Sequence, residues 1–335
     1  MTPDETATLS LMGRFAGPAP SEVVERVRAT SPIELAIALD RLQLAKSDVI
    51  ELAGHWDDFR AEPTWVHLLA SLVSTVERQR GDVDAPIPVW SDLDEAGVSG
   101  RLFYFYLFAL CAEGLEGLLS SEGFPAPIIE RTMGLLARKL AIHQRKWGTL
   151  GVDAGWWTML ALRGELIHVG SLQFHRETLG VGSLSPHPWY SENDVASRGV
   201  GFRRGDSSLG IHIPDGTDLS PVRLDATFDE ARHVLGRSWP ATQRRLATCQ
   251  SWMLDDQLAK YLGDGSNILG FQGRFTMLPA WIENNEDALE FVFRSPQTRF
   301  EQLPRATSLQ RAIIDIVERA GHSRIRTGWI DFDGR

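Results

Sequence analysis

Cysteine is scarce in this chain. Of 335 residues only Cys111 and Cys249 carry a thiol, in stretches that read as different domains, which gives neither a disulfide framework nor a zinc spacing. Positive charge is also in deficit: 34 Lys and Arg against 44 Asp and Glu give a formal net charge of −10. Phosphate backbones are held by clustered Lys and Arg, so this balance argues against a nucleic-acid or anionic-membrane partner. The apolar stretches are interrupted by charge or Gly before they reach a spanning length of roughly 18 residues, and the acidic N-terminus MTPDETATLSLMGRF lacks the basic start of an export signal. No membrane span is expected, and a reducing cytoplasm is the expected setting. HExxH, paired cysteines at metal spacing, GxSxG and the P-loop are all absent, and the nine histidines are scattered. Metal chemistry and serine-hydrolase chemistry are therefore not expected, and no metal ligands are assigned.

What is present is ordinary globular composition, 43% hydrophobic and 23% charged, over a length that suits two domains. From Ser21 to Leu52 apolar residues recur at three and four spacing, with a break at Ser31-Pro32 where a new helix starts. TWVHLLASLVSTVERQRG, entered through Pro63, places Val66, Leu69, Leu72, Val73 and Val76 on one helical face. The most apolar run, RLFYFYLFALCAEGLEGLLSSEG, has the length of a buried helix, and APIIERTMGLLARKLAIHQRKWG follows as another. His143 and Arg145 fall at that helix's C-terminus, where positive charge complements the dipole.

After Gly151 the period changes. Short β-branched and aromatic runs alternate with helices, which puts a domain boundary near 150: a helical domain over 1–150 and a mixed α/β domain over 151–335. Strands are expected at 157–162, 165–176, 208–213, 246–253, 274–279, 288–294 and 324–332, and helices at 225–237, 255–262 and 307–320. The stretch 180–207, rich in Gly, Ser and Pro, has no periodicity and reads as a long loop or lid carrying His187, Trp189 and Tyr190.

Several strings in the second half carry a resemblance: LGIHIPDG at 209–216, CQSWMLDDQLAKYL at 249–262, SNILGFQGRF at 266–275, LPRATSLQRAI at 303–313 and GHSRIRTGWI at 321–330. In order and spacing they resemble a bacterial acyltransferase family with an N-terminal helical domain and a C-terminal GNAT-like domain. HWDDFRAEPTWVHLLASLV and GRLFYFYLFALCAEGL are similar to its first half. The resemblance implies an α+β protein, all-α and then GNAT-like, that uses acyl-CoA as co-substrate and acylates an amine or hydroxyl of a small-molecule acceptor. The usual GNAT phosphate loop, Q/R-x-x-G-x-G/A, is missing from the sequence. That departure favours the alternative, a non-catalytic binding or interaction protein on the same scaffold.

An acyl-CoA site needs phosphate donors, a proton acceptor and an acid for the leaving thiolate. The expected strand at 288–294 leads through a loop into the helix at 307, so Arg299, Arg305, Thr307, Ser308, Gln310 and Arg311 are candidate phosphate ligands; Thr307 or Ser308 also suits a plain N-cap. His212, Asp255, Glu290 and Cys249 are the candidates for proton transfer. Alternation sets His212 opposite Ile211 and Ile213, and Asp255 doubles as an N-cap. Cys249 is either a nucleophile with His212 as base or a buried small hydrophobe. Trp156, Trp157, Trp189, Tyr190, Trp239, Trp252, Trp281 and Trp329 either line an acceptor cleft or close the core.

Overall fold

A computed structural model of the chain describes residues 18–83, 85, 93–179, 205–239, 246–294 and 298–332. The chain divides into two compact units, Met1–Ile167 and His168–Arg335, so the division falls beyond the position near 150 at which the sequence pattern changes.

The first unit is helix-rich: α1 Ser21–Ala29, α2 Pro32–Asp40, α3 Lys46–Gly54, α4 Trp56–Ala61, α5 Pro63–Gln79, α6 Gly97–Ser121, α7 Ala126–Met133, α8 Leu135–Trp147 and α9 Thr158–Leu162. The break at Ser31 is a full capping box, in which Ser31 accepts from the Glu34 N–H and Glu34 reaches back to the Ser31 N–H. α6 spans 25 residues with a mean hydropathy of 1.5 over an 18-residue window, long and apolar enough by length and composition to cross a membrane. Burial inside the unit covers 67% of that window, as in the central helix of a packed core. Trp56, Phe59, Trp65, Phe103 and Tyr106 pack ring against ring there, Trp56 and Phe59 stacked and Tyr106 edge-on to Phe59, and the Tyr106 hydroxyl donates to Leu52 O at 3.0 Å. Residues 157–162, expected as a strand, hold α9 instead: Thr158 to Leu162 are all buried, so their apolar run carries no period-2 signal.

The second unit is built on a six-stranded mixed sheet, ordered β1-β2-β3-β4-β6-β5. Its strands are β1 Leu166–Val169, β2 Leu172–Thr178, β3 Ser207–His212, β4 Leu246–Ser251, β5 Thr276–Glu283 and β6 Arg324–Asp331. Expected strand 165–176 is thus two strands, turned at Gly170 (φ 57°), where a Cβ would come within 2.4 Å of the Thr227 hydroxyl. Helices α10 Pro221–Ser238, α11 Asn267–Gln272, α12 Asn285–Phe293 and α13 Ser308–Ala320 complete the unit.

One face of the sheet is apolar and receives α10, with the Phe174 ring against Phe228 and Phe332. α12 and α13 build a second core with Trp252, Leu258, Ile313, Ile316 and Ile325. Residues 288–294, expected as a strand, belong to α12. Asn284 caps it by accepting from the Asp287 N–H, and Ala288, Leu289, Val292 and Phe293 meet that core at helical spacing. The expected helix at 255–262 is a 3-10 segment, Asp256–Lys260.

Candidate functional site

β3 and β4 form the parallel pair of the sheet, joined through α10, and their pairing register consists of Leu209 with Ala247 and Gly210 with Thr248. Beyond that step Ile211 and His212 pair outward with β2, and Cys249 to Ser251 pair outward with β6. A seam therefore opens between the two strands at their C-terminal ends, the side where open α/β sheets bind ligands. Backbone groups turned into such a seam suit the amides of an extended arm.

The turn after β3 runs directly into α10. Ser220 makes no side-chain cap there and Pro221 occupies the first helical position, so the amides of Val222 and Arg223 stay uncapped at the head of an 18-residue helix. Around this turn stand three guanidinium groups. Arg294 pairs with Asp215 at 3.4 Å, Arg274 with Asp225 at 2.7 Å, and Arg223 lies 4.0 Å from Asp218. Uncapped amides and nearby arginines suit a phosphate-bearing group.

The sheet face opposite α10 is polar where the seam opens. Alternation and register put Gln173, His175 and Glu177 of β2, Ser208, Gly210 and His212 of β3, and Thr248 and Gln250 of β4 on this face. Glu177 Oε1 accepts from the Ser208 hydroxyl at 3.1 Å and the Thr248 hydroxyl at 2.9 Å, tying three strands together. Its other oxygen lies 3.7 Å from His175 Nδ1, and the His175 and His212 rings stand 5.8 Å apart. His212 has its pKa pushed down to about 3, first by burial and second by the nearby His175. It is therefore a neutral imidazole at physiological pH.

The expected phosphate cradle at 305–311 is differently employed. Thr307 and Gln310 close a capping box on α13, with Thr307 accepting from the Gln310 N–H at 3.1 Å and Gln310 Oε1 accepting from the Ala306 and Thr307 amides. Arg305 pairs with Asp315 and Glu318, and Arg311 donates to the carbonyls of Arg305 and Ala306. Ser308 is the first helical residue. Among the described residues the segment ahead of this helix is α12 and a 3-10 turn, Phe300–Gln302, while a strand, loop and helix follow one another at β3–α10.

Of the proton-transfer candidates, His212 stands on the seam, while the others do structural work. Asp255 is buried, with Oδ1 accepting from the Gln257 N–H at 2.9 Å and Oδ2 from the Arg324 N–H at 2.9 Å. Cys249 projects to the apolar face, opposite His212, and burial pushes its pKa up to about 12, so the Cys–His nucleophile pair does not form. Glu290 lies 3.6 Å from Arg294 along α12. Trp252 is core, Trp239 is buried beneath the Arg176 guanidinium, and Trp281 stacks on His322 at the β5 edge. The expected lid with His187, Trp189 and Tyr190, and the side chain of Trp156, lie outside the described residues. Among the described residues no His, Cys, Asp and Glu cluster could hold a metal ion.

A splayed parallel pair feeding an uncapped helix, with an imidazole at the seam, is the frame of a group-transfer domain that takes an extended, phosphate-tipped substrate. The chain belongs to the acyltransferase families on both of its halves: residues 33–164 match the N-acyltransferase N-terminal domain and residues 166–330 the GNAT-like C-terminal domain. Among solved structures it is similar to an acyltransferase in complex with decanoyl-CoA and teicoplanin, at 29% identity and a TM-score of 0.77 over 99% of this chain and 96% of that one. An acyltransferase mutant in complex with octanoyl-CoA matches at 29% identity and a TM-score of 0.79 with the same coverage, and an acyltransferase in complex with CoA and 10C-teicoplanin at 28% and 0.77. Comparison with curated proteins finds no match.

Proposed function

We propose that this chain is a cytoplasmic acyltransferase, an all-α N-terminal domain followed by a GNAT-like domain, that moves an acyl group from acyl-CoA to an amine or hydroxyl of a small-molecule acceptor. The observation that carries the proposal is the open β3–β4 seam leading into the uncapped first turn of α10. The pantetheine arm lies along the seam, and the Val222 and Arg223 amides with Arg274 and Arg294 hold the phosphates. The neighbours' complexes with acyl-CoA and teicoplanin support both the donor and a small-molecule acceptor.

Transfer is direct. The acceptor nitrogen or oxygen attacks the thioester carbonyl, the C–S bond breaks, and the proton passes through His212 to the departing thiolate. Burial holds the His212 imidazole neutral and makes it a weak base, so it takes the proton only as the attacking atom gains positive charge in forming its bond, and the imidazolium then passes that proton to the thiolate, whose conjugate acid has a pKa of about 8.5.

The test is a thermal-shift series with free CoA, octanoyl-CoA and decanoyl-CoA, together with thiol release in the presence of acceptors. A ligand at 100 times its Kd stabilises by about 2.7 kcal/mol. The expected shift survives Arg305→Ala with Arg311→Ala and shrinks with Arg294→Ala. A shift abolished by the first pair would return the phosphate site to α13. Stabilisation without thiol release for any acceptor would favour the non-catalytic binding protein, and no shift with any CoA species would overturn the proposal.

A further inference from the structure

The first unit holds a cavity of about 290 Å³, lined from the end of α3, the head of α6 and the turn that follows α8. That is the low end of the sizes small-molecule sites take, roughly 300–1,000 Å³. Val98 and Leu102, four apart on α6, and Leu150 give it apolar wall. Two opposite charges line it as well, Arg101 of α6 and Glu51 of α3. Among the described residues neither side chain has a hydrogen-bond or ion-pair partner, and the two do not pair with each other. Arg101 Nε is also shut off from solvent. A buried guanidinium donor left unmatched carries a cost that an anionic group in the cavity would offset.

Each charge stands near the helix end that suits the opposite sign. Arg101 lies one turn in from the head of α6, where the first turn has no acidic residue and the N-cap, Ala96, makes no side-chain bond to its amides. A carboxylate is favoured there. Glu51 lies in the last turn of α3, which has no basic residue, and an ammonium is favoured there. We propose that this cavity is a binding site for a free α-amino acid with an apolar side chain. The carboxylate binds Arg101 and the amides at the head of α6, the ammonium binds Glu51, and the side chain packs on Val98, Leu102 and Leu150. An α-amino acid carries its two charges one carbon apart, so it bridges two protein charges that do not reach each other. A bare anion meets the Glu51 charge and a bare amine meets Arg101, so each end selects against half a ligand. The inference does not rest on the acyl-transfer reading, since every residue in it belongs to the first unit.

Saturation-transfer NMR and calorimetry on the full chain test this, with L-leucine and L-phenylalanine as probes. Their amides lack the carboxylate, and 4-methylpentanoate and 3-phenylpropanoate lack the ammonium. At least one amino acid is expected to bind, and its two half-ligands to bind about 10-fold more weakly or worse. Arg101→Gln and Glu51→Gln, checked for folding by circular dichroism, are each expected to weaken the amino acid by about 10-fold or more. Glu51→Gln should also narrow the gap between the amino acid and its deamino analogue. Absence of binding by both amino acids at millimolar concentration would overturn the proposal, as would an affinity that the two variants leave unchanged. Half-ligands that bind as tightly as the parent would overturn it too, leaving an apolar pocket without charge recognition. If a variant fails to fold, the half-ligand series on the wild-type chain decides by itself.

Discussion

Asp255 separates a structural carboxylate from a catalytic one. Its two oxygens answer two different backbone donors, the Gln257 N–H that opens a 3-10 turn and the Arg324 N–H that begins β6. Removing the carboxylate in Asp255→Ala costs a cap of about 1 kcal/mol and orphans a part-buried amide at a further 1–3 kcal/mol or so. The expected destabilisation is therefore about 2–4 kcal/mol. At roughly 2–4 °C per kcal/mol for a unit of this size, the melting temperature falls by about 5–15 °C. The assay is thermal unfolding followed by far-UV circular dichroism, with thiol release per folded molecule measured well below the transition. The Gln257 side chain keeps its bond to His322 O, at 3.1 Å, so the variant still folds. A stability within about 0.5 kcal/mol of wild type, the range of an inconsequential surface change, would refute the structural assignment. So would a folded variant that no longer transfers.

Cys249→Ala is expected to keep acyl transfer, since the thiol faces the apolar side of the sheet and burial holds its pKa up near 12. Iodoacetamide should leave Cys249 unlabelled in the native chain, and mass spectrometry of the native and unfolded protein checks both points. His143 is buried, with Nδ1 2.9 Å from Thr149 O and Nε2 3.1 Å from Asp94 Oδ2. Burial pulls its pKa down, but the Asp94 and Thr149 hydrogen bonds and the Asp94 and Asp153 charges outweigh that, and the net shift is upward from 6.5. A raised folded pKa means stability fully present below pH 6.5 and lost as pH rises through the folded value. Urea midpoints between pH 5 and 9 should fall for the wild type and lose that slope in His143→Gln.

The fold was legible where Pro or Gly marks the ends of an element. α5, entered through Pro63, and β3, bounded by the changes at Gly205 and Pro214, stand where helical spacing and alternation put them, although both are buried on more than one face. The failures share a cause. Thr158–Leu162 and Ala288–Phe293 are short: the first is buried throughout and so shows no period, and in the second the helical spacing of Ala288, Leu289, Val292 and Phe293 spans too little chain to outweigh the strand-forming Phe291, Val292 and Phe293. The deciding signal at α12 was Asn284 followed by acidic Glu286 and Asp287, an N-terminal signature upstream of the run itself.

That one misassignment steered the expected phosphate site to the helix at 307, whereas the reading proposed above places it at the head of α10. Acyl-CoA chemistry calls for a strand, a donor loop and a helix, and with 288–294 taken as the strand the helix at 307 became the cradle. The sequence holds a better instance in LGIHIPDGTDLSPV: an alternating strand, a loop of Gly, Asp, Thr and Ser, and Pro221 opening an 18-residue helix. His212 was found because alternation within a single strand exposes it. Glu177, Gly210 and Thr248 were not, because they meet only through pairings of β2 with β3 and of β3 with β4, between residues about 30 to 70 positions apart. A polar residue repeated on alternate positions, as in Gln173, His175 and Glu177, marks a wet or working face without saying what lies across from it.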